Sequence, residues 1–448
     1  MVYESRSLIP QDLKDRLLAE VAMLESIPDD EKDWHPGTDQ QVLDLVHPSL
    51  YFLRVGHTYV LCEDSSGSLT TRVLTRAEYM QGLDISPEDE WAISEIHQWL
   101  PTDFEVSPTG QIRPLGYINN LHPIQYREAY TTLSSILGRF LPLFERVVSD
   151  SLSPRRPYAI EIDGLEWYAS IPEPDLKAPQ EEWDEWEREQ HWPVIPDPSP
   201  FQPPDSQSRV ELNLRGRTLQ VIVKLANIVL SPNNPTYDGG SWHVEGMANE
   251  HIVATGLYYY KCDNITESKL AFRAAVGRQD PYEMLELHEQ WDNKGCLTAW
   301  GIGEGSLLNQ ELGHVVAEEG KCIAFPNVYQ HCVQPFELAD PSKPGYRKIL
   351  CFFLVDPLKR IISTSDVPPQ QESWWRSESW SQIAFAAVPP LRNIPPELYD
   401  EIITHTCEGT ISRAEAERWR EAFMDERSDF ADYHSGQNFE LEWNMCEH

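Results

Sequence analysis

The stretch GGSWHVEGMANEHIVATGLYYY, residues 239–260, sets a turn, a histidine–carboxylate pair and a strand in close succession. The turn begins at TYDGG, where paired glycines relieve the steric limits on backbone direction. From His251 onward the residues are largely β-branched or aromatic, which suits a pleated, half-buried surface. Alternate residues of such a strand share a face, so Leu257 and Tyr259 point one way and Tyr258 and Tyr260 the other. His243 and Glu245 have the same parity, so they face the same way at the strand end.

Further runs of the same kind lie on both sides: VELNLRG and LQVIVKLANIVL upstream, then KLAFRAAV, GHVVAEE, KCIAFP, YQHCVQPF and YRKILCFFLV. Short strands separated by Gly, Asn, Asp and Pro turns predict a sandwich or jelly roll over 209–360, not a parallel α/β sheet. Around this core we expect helices. QDLKDRLLAEVAMLES at 11–26, a second stretch near 40–53 and a long segment at roughly 122–149 repeat apolar residues at helical spacing. YAIEIDGLEWYA at 158–169 suggests two short strands around Asp163-Gly164. The expected organisation is a mainly helical region over 1–170, a strap over 171–208, the strand-rich core over 209–360 and a helical region over 361–448. The strap is rich in proline, tryptophan and acids, and proline excludes regular helix or central strand from most of it. In the last region PPELYDEIITHTC and ISRAEAERWREAFMDE look helical, the latter with Ser412 and Glu415 spaced as a capping box. Trp374, Trp375 and these helices are candidates for a pocket cap or a homodimer interface.

With 72 acidic against 36 basic residues the formal charge is −36. Such a surface repels phosphate backbones, so nucleic acid and anionic membranes are poor partners. Eight cysteines include no C-x-x-C pair, and the first residues have no cationic start followed by an apolar stretch. No uncharged apolar run nears the ~20 residues that span a bilayer. The expectation is a soluble, cytoplasmic protein.

His243-Val-Glu245 is within chance as an isolated tripeptide. Its placement at a strand end, with His331 on a later short strand, makes two imidazoles and one carboxylate available to one metal ion. That set holds Fe(II) with positions left open. Arg347 follows His331 by sixteen residues, on a strand where Ile349, Cys351 and Phe353 share its face. A guanidinium there suits bidentate capture of a carboxylate, and the apolar residues suit a pocket wall. His251 and His314 are expected to be packed strand residues. Cys332 and Cys351 are expected to shape the pocket without reacting, since nothing cationic in the local sequence is placed to activate a thiolate.

The pattern HVE at 243–245, HCVQP at 331–335 and GYR at 345–347 resembles the Fe(II)/2-oxoglutarate-dependent dioxygenases, in particular their prolyl-hydroxylase-like branch. Thr255-Gly-Leu257-Tyr258-Tyr259 resembles the T-x-[IL]-Y-Y pattern of that branch, and Leu270-Ala-Phe272 its following strand. The resemblance implies an α+β fold with a double-stranded β-helix (jelly roll, cupin-like) core and helical N- and C-terminal extensions. It implies Fe(II) on His243, Glu245 and His331, 2-oxoglutarate held by Arg347 and Tyr259, and O2 as co-reactant. Leu257, Ile349, Cys351 and Phe353 would line the substrate pocket. Two departures stand out: Glu245 replaces the commoner Asp, and the interval from His331 to Arg347 is long. YINNLHP, VIVKLANI and FPNVYQHCVQPF also make the chain as a whole similar to a fungal family of unknown function.

The activity so implied is hydroxylation, desaturation or oxidative cyclisation of a small molecule such as an amino acid or specialised metabolite. Three other readings stay open: a protein or peptide hydroxylase, a cupin-like metal enzyme working without 2-oxoglutarate, and a non-catalytic binding protein.

Overall fold

The computed structural model describes residues 1–153, 172–188, 210–276, 297, 301, 303–376 and 409–443. The elements that place the site are α1 (Gln11–Glu25), β1 (Val42–Val46), α2 (Arg127–Leu152), β2 (Thr218–Leu230), β3 (Ile252–Asp263), β4 (Lys269–Ala275), β5 (Asn309–Val316), β6 (Cys322–Pro326), β7 (Gln330–Val333), β8 (Gly345–Val355) and α3 (Arg413–Asn438).

The long β-branched runs form the centre of a large antiparallel sheet, in the order β6-β3-β8-β2-β1. β8 pairs along its length with β2 on one side and β3 on the other, setting Cys351 opposite both Lys224 and Leu257. Because side chains alternate, this sheet has two apolar faces. Tyr258, Tyr260, Val221, Val223 and Phe352 lie under the amphipathic helices α1 and α2. α1 buries Leu13, Leu17, Val21 and Leu24, the i, i+4, i+8, i+11 stripe read from sequence. α2 presses Phe140 and Phe144 onto Gly256, where a side chain would begin 2.8 Å from the Phe144 ring. Glycine is therefore what lets this helix approach.

A second sheet, β5-β4-β7, is smaller, and His243 extends it by bridging to His331. Leu270 and Phe272 of this sheet share one apolar cluster with Leu257, Tyr259, Ile323, Phe325, Cys351 and Phe353 of the large sheet. The rings of Phe272 and Phe325 meet edge to face at 4.9 Å. Two antiparallel sheets thus enclose an inner apolar layer, and the helices cover the outer face of the larger one. The fold is mixed α and β, with mostly antiparallel sheets.

Several expectations need correction. The stretch near 40–53 contains strand β1 and no helix. Val42, Leu43 and Val46 pair with β2, and long-range pairing outweighs an apolar spacing that fits either period. The first 120 residues are not mainly helical, because Tyr3–Ser5, Asp33–Trp34 and Thr102–Val106 also join the large sheet. VELNLRG forms no strand. Its amide groups donate to α2 side chains instead, Leu212 to Ser149 Oγ at 2.9 Å and Leu214 to Glu145 Oε1 at 3.1 Å. Within the strap, Gln180–Arg188 is a helix, occupying the interval without proline that follows Pro179. The hairpin expected at 158–169, the rest of the strap from 189 to 208 and the helix expected at 395–407 lie outside the described residues. α3 forms as expected and runs on to Asn438, with Ser412 Oγ accepting from Glu415 N, the forward half of the capping box. Among the described residues no helix is long and apolar enough to cross a membrane.

Candidate metal centre

His243 and His331 are cross-strand neighbours joined by a reciprocal pair of backbone hydrogen bonds, His243 N to His331 O at 3.2 Å and His331 N to His243 O at 3.0 Å. That pairing holds their rings 4.4 Å apart, centroid to centroid. Glu245 stands two residues on, with Gly246 after it in left-handed backbone at φ +72°. The carboxylate turns back between the imidazoles: Oε1 lies 3.8 Å from His243 Nε2 and 3.3 Å from His331 Nε2. The three donor groups lie within 4.8 Å of one another.

Their surroundings prepare them for a cation. His243 Nδ1 donates to Ser241 O at 2.8 Å, which leaves Nε2 as the lone-pair nitrogen directed at the shared point. Desolvation, and then the adjacent His331, push the His243 pKa down to about 4, so the ring is neutral. Burial alone would raise Glu245, but the hydrogen bond from His331 and the two imidazoles hold it at about 2, so it is ionised. Side-chain exposure falls from 35% for His243 to 15% for Glu245 and 5% for His331, so the group opens on the His243 side. A neutral His243 and an ionised Glu245 are in the protonation states that a divalent metal requires.

Asn327, which sequence reasoning missed, holds the backbone of this group. Its Oδ1 accepts from Glu245 N at 2.8 Å, and its Nδ2 donates to Glu245 O at 2.7 Å and Ile252 O at 3.1 Å. The loop beyond Gly246 is fixed by Glu250, fully buried, which accepts from Met247 N and Trp99 N and pairs with Arg427.

Arg347 lies on the inner face of β8, 2% exposed. Its NH1 donates to Ser268 Oγ at 2.5 Å, and the guanidinium lies 5.5 Å from the Tyr259 ring centroid and 5.4 Å from that of Phe336. Arg347 Nε has no hydrogen-bond partner, and the side chain forms no ion pair with any described residue. A buried guanidinium without a counter-charge costs several kcal/mol, which an incoming carboxylate would offset. The donors present therefore fit both groups implied by the sequence: a divalent metal at the His–Glu–His group, and a carboxylate at Arg347 and Tyr259.

Leu257, Ile349, Cys351 and Phe353 do share the inner face, Leu257 opposite Cys351 and Tyr259 opposite Ile349. They belong to the apolar layer between the sheets. The open cavity beside the metal group, about 340 Å³, is lined by other residues, among them His47, Trp99, Lys224, Arg427 and Phe430 with His243 and Glu245. No local motif marks these, because they come from distant segments. His251 caps a short turn in left-handed backbone at φ +47° and is apart from the group. His314 is exposed on β5, not packed as expected, because that strand is the outer edge of the smaller sheet. Burial raises the Cys332 thiol and pushes Cys351 up to about 12, which keeps both protonated. Trp374 packs against Tyr117 and His122, while α3 supplies one wall of the cavity.

A second group, His35, Asp44 and His47, also lies with its donor atoms within 4.8 Å of one another. His47 Nδ1 accepts from Ser49 N at 3.2 Å and His35 Nδ1 bonds Asp44 Oδ2 at 2.7 Å, while Asp44 Oδ1 has no hydrogen-bond partner.

No curated protein matches the sequence significantly. Solved structures similar to it include IDO from Bacillus thuringiensis, at 10% identity over 31% of this chain and 46% of that one, with a TM-score of 0.19. A bsmA homolog from Methylobium petroleophilum PM1 is 10% identical over 78% of this chain and 84% of that one, TM-score 0.30. The Fe(II)/(alpha)ketoglutarate-dependent dioxygenase TqaL is 10% identical over 80% and 95%, TM-score 0.27. At the level of sequence, residues 1–378 match one family along their whole length, and the chain belongs to it: DUF4246, described as a protein of unknown function.

Proposed function

We propose that this protein is an Fe(II)/2-oxoglutarate-dependent oxygenase acting on a small molecule, built on a double-stranded β-helix. The topology supports the fold assignment. From β2 the chain passes to the His243 edge of the small sheet, to β3 in the large one, through β4 and β5 in the small one, then to β6, β7 and β8 in alternate sheets. That crossing pattern, with β2-β8-β3-β6 in one sheet and His243-β7-β4-β5 in the other, supports the jelly-roll reading.

The observation that carries the functional reading is Arg347: a guanidinium 2% exposed, with no described acid paired to it, on the inner face shared with Tyr259. A structural arginine would be paired. A carboxylate receptor has to leave the charge available. His243, Glu245 and His331 would hold the iron, with Asn327 fixing the Glu245 backbone. Arg347, Ser268 and Tyr259 would fix the distal carboxylate of 2-oxoglutarate. Iron and cosubstrate, when bound, would supply the oxidising power drawn from O2 that attack on an unactivated C–H bond needs. The rest falls to the chain: the apolar layer around Leu257, Ile349, Cys351 and Phe353 excludes water, and the adjacent cavity orients the substrate.

Purified protein supplied with Fe(II), ascorbate and 2-oxoglutarate is expected to form succinate. Glu245→Ala and His331→Ala should abolish turnover. Turnover that survives either substitution would remove the proposed ligands. Turnover unchanged in Arg347→Ala would instead favour a cupin-like enzyme without this cosubstrate.

A further inference from the structure

The cavity beside His243 and Glu245 has walls from three parts of the chain. The inner face of β2 contributes Lys224, the N-terminal region contributes His47 and Trp99, and α3 contributes Arg427 and Phe430. Whatever enters it lies against the proposed metal ligands. At about 340 Å³ it suits a small molecule, near the lower end of known ligand pockets.

The charges around this cavity differ in whether they are already used. Arg427 pairs with buried Glu250 and covers the Trp99 ring, its guanidinium 3.6 Å from the ring centroid. Asp44 is bonded to His35 at 2.7 Å, and Glu245 lies between the two imidazoles. Lys224 is half-buried and lies within ion-pair distance of no described carboxylate, though its charge acts at longer range on Asp44 and Glu245 and helps to hold both ionised. Its position is set by the sheet: it faces inward opposite Cys351, between the apolar residues Ile222 and Ala226 of the same strand. An ammonium on an inner sheet face is displaced from bulk water, and without a partner it costs stability. Trp99 and Phe430 supply the aromatic part of the lining. Trp99 stacks on Phe353 at 5.8 Å, and its indole N–H is held by Ser49 Oγ at 2.9 Å.

We infer that this cavity binds a small aliphatic substrate bearing one carboxylate, with Lys224 as the counter-ion and Trp99 and Phe430 as the apolar wall. The assignment deepens the oxygenase reading and rests on it for the chemistry, but binding can be read separately. Lys224 is a substrate-positioning residue here. Arg347 serves the cosubstrate, so the two cations would sort two carboxylates.

The test uses the full chain, loaded with Fe(II) under anaerobic conditions and saturated with N-oxalylglycine to occupy Arg347. Binding of 4-methylpentanoate and of its primary amide is then followed by calorimetry or saturation-transfer NMR. The acid should bind at least about tenfold more tightly than the amide, the effect expected of one charge-assisted hydrogen bond. Lys224→Met should erase that preference and leave amide binding intact, and Lys224→Arg should retain much of it. A purely structural lysine would change the melting temperature without changing the acid-to-amide ratio. The inference is overturned if the acid does not bind, if acid and amide bind alike, or if Lys224→Met keeps the preference. Failure of N-oxalylglycine to bind would count against the oxygenase reading instead, and the same titration in Arg347→Ala protein would still report on Lys224.

Discussion

Asn327 spans the backbone on both sides of the loop that carries Glu245, with one amide bonded to Glu245 N, Glu245 O and Ile252 O. Glutamate has one more rotatable bond than aspartate, so its carboxylate is harder to hold at a fixed point. Fixing the backbone on both sides of the Glu245 Cα, at its N and its O, is one means of recovering that precision. Asn327→Ala should therefore weaken Fe(II) binding by roughly 10–100-fold, as loss of an outer contact to a ligand does elsewhere. Competition with a fluorescent chelator would measure this, and unchanged affinity would mean that the loop holds its shape without the amide. Asn327→Asp loses the Nδ2 donors and brings a carboxylate near the ligand group, so it should not restore the wild-type value. Nothing in the sequence around FPNVYQH singles out this asparagine, because its partners are backbone atoms some eighty positions away.

At the scale of elements, what could be read from sequence were features set by alternation within one segment. The inward parity of Tyr259 against Tyr258 and Tyr260, and of Arg347 with Ile349, Cys351 and Phe353, follows from strand geometry alone, and the structure has both. Strand β1 and the 210–216 segment were misread because their partners, β2 and the side chains of α2, lie far along the chain. The cavity walls escaped for the same reason. α3 is an example: its helical character and its Ser412 cap were legible, but not what it packs on. It is fixed by Arg420 on Asp33 at 2.7 Å, by Arg427 on Glu250, and by His434 stacked on Trp91. Burial lowers His434 from an ordinary 6.5 to about 4. With the folded value below the unfolded one, the unfolded chain takes up the proton first. Stability from this site is therefore present above about pH 6.5, falls as the pH drops and is lost by about pH 4, at most on the order of 3 kcal/mol. His434→Phe should flatten the fall in melting temperature over that window. Parallel pH profiles for mutant and wild type would assign the fall to other groups.

For the whole molecule, the question is why a protein with a formal charge of −36 leaves the buried Arg347 without an acidic partner among the described residues. Carboxylates are abundant in this chain, so the lack of one beside Arg347 is not for want of supply. A paired Arg347 would stabilise the ligand-free fold and obstruct the cosubstrate proposed for it. An unpaired one weakens the ligand-free fold and makes stability depend on the ligand. The linkage has a definite sign. Arg347→Met keeps similar volume and removes the buried charge, so the ligand-free variant should be more stable than wild type by about 1–4 kcal/mol. It should also lose its response to N-oxalylglycine. Wild type in the presence of Fe(II) should gain about 2.7 kcal/mol when N-oxalylglycine reaches a hundred times its dissociation constant. The two melting temperatures should then converge or reverse order as ligand is added. Melting curves of both proteins across an N-oxalylglycine series would measure this. If Arg347→Met lowered the ligand-free melting temperature, the guanidinium would be a net stabilising part of the core through Ser268, Tyr259 and Phe336, and its use as a carboxylate receptor would lose its main physical support.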